Sequence, residues 1–471
     1  MDMFETGRSP MTRRDPSRPP QFDPEPAEPY TELGHARRLV AAFGSQLRHV
    51  PVWRKWMIWD GARWAPDTTG KAQRMAKAIA RGALDWAAEL DADEADRKKA
   101  INAAKRLESS RGVSGILTLA GTEEPVALDP SEFDADPWLL NCSNGTLDLR
   151  SSEFMPHEQS NHLTKVCAAA YDPDAEAPEF TKFLQRIQPD PKTRAFIQRY
   201  FGYALLGEVQ EHVLAVFYGV GANGKGTLTN SIDHVLGDYA ITPDPELLAE
   251  RSGGFHPTSS ASLFGARLAI VQEFDEGRRL AEGTVKRLTG GDPISARRMR
   301  EDFWEFDPSH TFVLASNYRP IVRGTDEGIW RRLRLVPFDV VIPKEERDGE
   351  LPGRLRLEAD GILAWLVRGY QDWREHGLAE PEAVTAATAS YKAESDVLGR
   401  FIDDTCTTVS TASVNSTQLY STWMKWCTSE GIDPGTQTAF SLALEQRGFD
   451  KRKSNGAMVF KGLGLMWTES R

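Results

Sequence analysis

Apolar positions along this 471-residue chain change spacing in blocks, and each block predicts a different element. Helical spacing from Thr31 to about Leu47 gives way to RKWMIWDGARWA, Arg54–Ala65, where large apolar residues alternate around Asp60-Gly61, a hairpin signal. Ala72 to about Arg106 is alanine-rich, charged and proline-free, the pattern of two helices. PWLLNCSNGTLDL, Pro137–Leu149, predicts short strands about Asn144-Gly145, and DPDAEAP, Asp172–Pro178, predicts a linker. From Pro178 to about Pro343, helical stretches alternate with short apolar runs. Phe180–Gly207 is helical, whereas Leu214–Tyr218, Leu268–Val271, Thr311–Ala315 and Leu333–Val341 have strand character. Helices between apolar runs predict a sheet with parallel character. Glu345 to about Ala393 is mostly helical. Beyond Leu398, three helical stretches, two of them Gln418–Cys427 and Thr438–Arg447, precede strands about Asn455-Gly456, which predicts a winged helix.

Composition sets the boundaries. Residues 1–30 are rich in Pro, Arg, Asp and Glu and cannot offset ordering entropy, so a disordered tail is expected. After it come a mixed α+β domain over 31–175, an α/β domain over 176–345, a helical extension over 346–393 and the winged helix over 394–471. A net charge of −11 excludes wholesale electrostatic wrapping of nucleic acid, so any such contact must come from local basic patches. The four cysteines lack Cys-x-x-Cys spacing, which argues against zinc and disulfides and fits a reducing cytoplasm. No apolar run approaches the roughly 18 to 20 residues of a membrane span, and the N-terminus has no apolar signal region. A protein neither secreted nor membrane-embedded is expected.

The densest chemistry lies in LAVFYGVGANGKGTLTN, Leu214–Asn230. A buried strand, a glycine-rich turn and helical spacing resuming at Leu228 form the context of a phosphate-binding loop. Gly219, Gly221 and Gly224 free backbone N–H groups to converge on phosphate oxygens beside Asn223, and Lys225 reaches the outer phosphates. Gly226 occupies the place where Ser or Thr normally holds magnesium, and Thr227, the next hydroxyl, comes one position late. A glycine turn without ligand is the alternative, disfavoured by lysine at this spacing.

Beyond the run Leu268–Val271, Glu273 is placed to polarise water, with Asp275 or Glu276 supporting the metal. A solvated acidic loop is the alternative. Asn317 ends the next apolar run and can orient water or sense a phosphate, although a lone Asn there is often a turn residue. Arg331 and Arg332 offer guanidinium charge across a subunit boundary, or simply surface charge. From Val285 to Arg300, Lys286, Arg287, Arg297, Arg298 and Arg300 face Asp292 alone. Ile294–Met299 and Phe303–Phe306 then predict a hairpin displaying cations to a nucleic-acid backbone, against the plainer reading of a solvated charge run. Lys451, Arg452, Lys453 and Lys461 form a second basic cluster on the wing. Asp91-Ala-Asp93 and Asp134-Ala-Asp136 lie in polar surroundings and are expected as solvated acids.

Over roughly Trp53 to Arg334 the order of motifs resembles the superfamily 3 helicases of the phage and plasmid branch related to the poxvirus primase-helicase. NCSNGTLDL with HLTK (His162–Lys165) resembles the domain preceding the helicase. GVGANGKGT resembles its Walker A motif and IVQEFDEG its Walker B. VKRLTGGDPISARRMR is similar to the DNA-contacting segment, LASN to the sensor strand and GIWRRLRLVPF to the arginine-finger region. The resemblance implies an AAA+-like P-loop core in a ring, typically a hexamer, with ATP and Mg²⁺ between subunits and single-stranded or forked DNA within. It gives Lys225 to phosphate, Glu273 to water activation, Asn317 to phosphate sensing, Arg331 or Arg332 to action in trans, and Lys286, Arg297 and Arg298 to DNA. Primer synthesis is expected from a separate primase, in the cytoplasm of a bacterium hosting a phage, prophage or plasmid. An ATP-dependent origin-binding or helicase-loading protein is the competing reading, and action on RNA a third.

Overall fold

The computed structural model describes residues 31–250, 257–297, 303–322, 326–454 and 456–466. The expected tail over 1–30 and the expected DNA contacts Arg298 and Arg300 lie outside them.

Helix α1 (Glu32–Phe43) starts at Thr31, whose hydroxyl accepts the Gly34 N–H at 3.0 Å. It stops well before Leu47, the expected end, because Leu47–Val50 forms strand β1, antiparallel to β2 (Lys55–Trp59) with Leu47 opposite Ile58. Pairing buries Leu47 completely, and a longer helix would forfeit it. Asp60 closes the turn into β3 (Trp64–Pro66) by accepting the N–H groups of Ala62 and Arg63, each at 2.9 Å. Helices α2 (Lys71–Glu89), α3 (Glu94–Leu107) and α4 (Ser110–Ala120) complete an alanine-rich core with α1. Strands β4 (Leu139–Cys142), β5 (Gly145–Asp148) and β6 (Glu153–Met155) form a second antiparallel sheet.

Asp91 and Asp93 are exposed, in line with the expectation of solvated acids, whereas Asp134 departs from it. Asp93 caps α3 through the Asp96 N–H at 2.8 Å, and Asp136 pairs with Arg150 at 2.7 Å. Asp134 is half-buried and accepts the Thr164 N–H at 2.8 Å and the Thr164 hydroxyl; burial raises its pKa. Its carboxyl group ties two loops together rather than facing water.

Helices α5 (Pro178–Ile187) and α6 (Pro191–Tyr203) lead into strand β7 (Leu214–Tyr218). In chain order there follow α7 (Lys225–Leu236), β8 (Ala240–Ile241), α8 (Pro257–Ser260), β9 (Leu268–Gln272), α9 (Glu282–Leu288), β10 (Ile294–Ala296), β11 (Trp304–Phe306), β12 (Thr311–Ser316), α10 (Glu327–Trp330) and β13 (Leu333–Pro337). Five strands make one parallel sheet in the order β13-β7-β12-β9-β8. Both faces are covered, which is why these strands are mostly apolar rather than alternating. On β7, Ala215 and Phe217 enter one core with α5, α6 and α7, while Leu214 and Val216 enter another with α9, β10 and β11. Inside the first core the buried Tyr200 hydroxyl donates to the Phe312 carbonyl at 2.6 Å and accepts the Ala215 N–H at 3.0 Å, bridging β12 and β7. Burial raises its pKa, which keeps it a donor at any ordinary pH.

Helices α11 (Leu351–Leu357), α12 (Ala359–His376) and α13 (Glu382–Ser395) follow the sheet. The last unit contains α14 (Val397–Thr405), β14 (Cys406–Thr407), β15 (Ser413–Asn415), α15 (Ser416–Ser429), α16 (Gln437–Gln446), β16 (Lys451–Ser454), β17 (Ala457–Lys461) and β18 (Gly464–Leu465). Its core gathers Phe401, Trp423 and Phe440, with a three-stranded sheet in the order β15-β17-β16.

Arg267 and Trp53 are prominent among the contacts that fasten the N-terminal unit to the sheet. Arg267, only 4% exposed at the start of β9, donates to the carbonyl of Leu205 and, at 2.6 Å, to that of Leu139, and lies 4.5 Å above the Tyr239 ring. Trp53 packs its ring 5.6 Å from Phe264 and 6.1 Å from Trp304 of β11, measured between centroids. Truncating a buried indole removes both its burial and its packing, so Trp53→Ala is expected to cost about 3–5 kcal/mol. Urea unfolding checks this, and a loss below about 1 kcal/mol would mean that the seam carries little of the stability.

Candidate active site

The segment Gly219–Gly224 leaves the C-terminal end of β7 and turns into α7, where open parallel sheets place their ligands. The turn requires left-handed backbone at Gly219 (φ 148°), Ala222 (φ 63°) and Gly224 (φ 80°). A β-carbon on Gly219 would lie 2.3 Å from the Phe338 carbonyl oxygen, and one on Gly224 2.5 Å from Ile187 Cγ2. The loop is stitched down by Asn223 Nδ2, which donates to that Phe338 carbonyl at 3.1 Å, and by the Ile342 N–H, which donates to the Ala222 carbonyl at 2.8 Å. Helix α7 therefore starts at Lys225, earlier than its apolar spacing implies, and its free N–H groups face the loop.

Lys225 is 5% exposed. Its Nζ donates to the Gly219 carbonyl at 2.7 Å, to Asn223 Oδ1 at 3.1 Å and to Asn317 Oδ1 at 3.3 Å. Asn317 follows β12, which lies between β7 and β9 in the sheet, so sheet order brings the two residues together. Burial pulls the Lys225 pKa down to about 8.

Glu273 follows β9 in the left-handed region, φ 59°, and is exposed. A non-glycine residue there is strained, a feature concentrated at functional sites. Asp275 is largely exposed and pairs with Arg278 at 3.3 Å, and Glu276 is exposed. Among the described residues no group of three or more His, Cys, Asp or Glu can hold a metal. Thr227, Glu273, Asp275 and Glu276 thus offer dispersed donors. Such a set fits a magnesium ion that rides on phosphate oxygens and keeps much of its water, and does not fit an ion caged by protein.

The two arginines expected as equivalents are not equivalent. Arg332 is 9% exposed, with Nε donating to Thr289 Oγ1 at 3.2 Å and Nη1 to the Gly328 carbonyl at 2.8 Å. Its charge is committed within its own chain. Arg331, its neighbour, is exposed. Lys286, expected on DNA, forms an ion pair with Asp326, the N-cap of α10. α9 is therefore fastened to the arginine segment at two points. Strands β10 and β11 form the expected antiparallel hairpin, Ile294 opposite Phe306, and Arg297 lies 4.9 Å above the Phe303 ring. On β16, Lys451 is half-buried over Phe460, Arg452 pairs with Asp450, and Lys453 is exposed.

Residues that sequence reading passed over are Gln272 and Asn230, whose amides meet at 3.1 Å beside the first turns of α7. The available signal was an amide standing directly before Glu273.

Three family models match the chain: "D5 N terminal like" over 36–189, a family of unknown function over 217–332, and "Poxvirus D5 protein-like" over 393–461. A protein of Acanthamoeba polyphaga mimivirus named "Putative helicase" is 28% identical over 329 residues, 64% of this chain and 34% of the relative. One named "Putative primase" from African swine fever virus is 31% identical over 217 residues, 43% of this chain and 22% of the relative. The chain is thus similar at both ends to D5-like proteins, and its relatives are named for helicase or primase. It spans only about a third, or less, of these relatives. The apo C-terminal region of NrS-1 aligns with 93% of the chain and all of its own length at 11% identity, with a TM-score of 0.49. No helix among the described residues is long and apolar enough to cross a membrane.

Two predictions follow from the geometry of the loop. Gly224→Ala meets both positive φ and Ile187, and is expected to lose more than about 1–2 kcal/mol. Gly226→Ala, with nothing within 4 Å of its β-carbon, is expected to gain about 0.5–1 kcal/mol in thermal or urea unfolding. The second concerns pH. A bound phosphate favours the ammonium, so binding raises the Lys225 pKa from about 8. ADP affinity is then flat below pH 8 and falls above it, with proton uptake at pH 9. Calorimetry in buffers of different ionisation heat checks this, and the uptake should vanish in Lys225→Met.

Proposed function

We propose that the chain is an ATP-dependent DNA helicase of a phage, prophage or plasmid replication system, with residues 176–345 as a P-loop ATPase of superfamily 3. What carries this reading is the meeting of Lys225 and Asn317 at 3.3 Å, at the sheet edge where a stitched glycine loop opens α7. A fixed cation beside exposed helical N–H groups binds phosphate, and an amide at 3.3 Å reports on the same oxygens. Glu273 orients the attacking water. Arg331, exposed, enters the site of a neighbouring subunit, and Arg332 positions it. When bound, magnesium neutralises charge on the outer phosphates. Such shared sites imply a ring, with a hexamer as the expected size. The β10–β11 hairpin contacts single-stranded or forked DNA through Arg297 and its neighbours, the unit 394–471 is a winged helix, and a partner supplies primase. The relatives named as helicases support turnover of this kind.

A second reading, an origin-binding or helicase-loading protein, draws on the exposed Lys453 and Arg452 of β16. Fork unwinding separates the two: the helicase reading requires DNA-stimulated ATP hydrolysis with strand displacement, and hydrolysis without displacement favours the loader. Lys225→Ala is expected to abolish hydrolysis, and retained turnover would refute its phosphate role. Arg331→Ala subunits mixed with Glu273→Gln subunits should regain activity at hybrid interfaces, whereas assembled rings that stay inert would count against action in trans.

A further inference from the structure

Gly226 leaves the first turn of α7 bare, since no heavy atom lies within 4 Å of the place its β-carbon would take. Asn230 comes four residues later on the same face, about 6 Å along the helix axis. Its Oδ1 accepts a hydrogen bond from Gln272 Nε2 at 3.1 Å. Gln272 ends β9 directly before Glu273 and lies in register with Ala315, close in sequence to the Asn317 that touches Lys225. The amide pair thus sits on the helix face that Gly226 uncovers, beside the residues assigned to phosphate and water. A single amide-to-amide bond leaves one amide oxygen able to accept, whichever way the two groups are turned.

Neutral amides do not strip water from a strongly hydrated cation, but their oxygens accept hydrogen bonds from its waters. A metal–water bond of about 2.1 Å followed by a hydrogen bond of about 2.8 Å spans slightly less than the bared turn. Gly226 removes the hydroxyl that would otherwise bind the metal directly and makes room for that water layer. We infer that the Asn230–Gln272 pair holds the water shell of a magnesium ion whose direct ligands are the nucleotide phosphates, in place of a hydroxyl on α7. This rests on the phosphate-binding reading of the glycine loop. Asn230 and Gln272 are positioning residues here, acting on the ion through its water.

The test uses the full chain with ADP and Mn²⁺, reading free Mn²⁺ by electron paramagnetic resonance and ADP affinity separately in EDTA. Gln272→Ala and Asn230→Ala are expected to weaken Mn²⁺ binding to the protein–ADP complex by up to about tenfold while leaving metal-free ADP affinity unchanged. Gly226→Ser should tighten Mn²⁺ binding and make it indifferent to Gln272→Ala, because the serine binds the metal directly. Unchanged Mn²⁺ affinity in both amide variants would overturn the inference and leave the phosphate site standing. Equal loss of metal-free ADP binding would also overturn it, assigning the pair to loop structure. No ADP binding by the wild-type chain under either condition would bring down the phosphate-binding reading and this inference with it.

Discussion

One buried ammonium organises the end of the parallel sheet where the glycine loop lies. Taking the Lys225 charge out of water is costly, and only nearby oxygens offset that cost. The Gly219 carbonyl, Asn223 and Asn317 supply them. Each imposes a condition elsewhere: the loop must bend through positive φ to turn the Gly219 carbonyl inward, Asn223 must be anchored on the end of β13 by Phe338, and β12 must lie beside β7. The sheet order β13-β7-β12-β9-β8 satisfies the last condition and, through β9, delivers Glu273 to the same edge. The depressed pKa of Lys225 is the residue of an offset that three neutral oxygens cannot complete.

Much of this was legible in the chain itself, for a definite reason. Strands covered on both faces are apolar at most positions, with polar residues mainly at their ends, so β7, β9, β12 and β13 announce themselves as runs, and the glycine loop between β7 and α7 has no competing regular structure. The hairpins at Asp60-Gly61 and β10–β11 follow from local turn chemistry and alternation. What escaped depends on distant partners. Leu47 fits a helix by spacing and joins a strand because Ile58 faces it. Arg331 and Arg332 are adjacent and chemically identical, and only Thr289 and Gly328, far off in sequence or folded back by α10, decide which one is committed. Asp134 stands in polar surroundings, yet Thr164 claims both of its oxygens.

The pairing of α9 with α10 gives the putting-together of separate motifs a mechanical meaning. Lys286 engages the cap of α10, and Thr289, at the end of α9, engages Arg332. Between Thr289 and β10 the chain is only a short glycine turn, which ties the base of the hairpin closely to the arginine segment. These two polar contacts overlie an apolar core that Val285 and Leu288 of α9 share with Ile329 and Trp330 of α10.

Arg267 bears on how the molecule can be divided. Its guanidinium spans a carbonyl of the helical lead-in, Leu205, and a carbonyl of the N-terminal unit, Leu139. Composition places a boundary near residue 175, where the chain is polar and flexible in pattern. Cutting there would strip one acceptor from a buried cation and uncover the aromatic rings that Trp53 shields. The seam in the sequence is thus not a seam in the energetics, and an isolated parallel-sheet unit would begin life with an orphaned charge and an adhesive apolar patch.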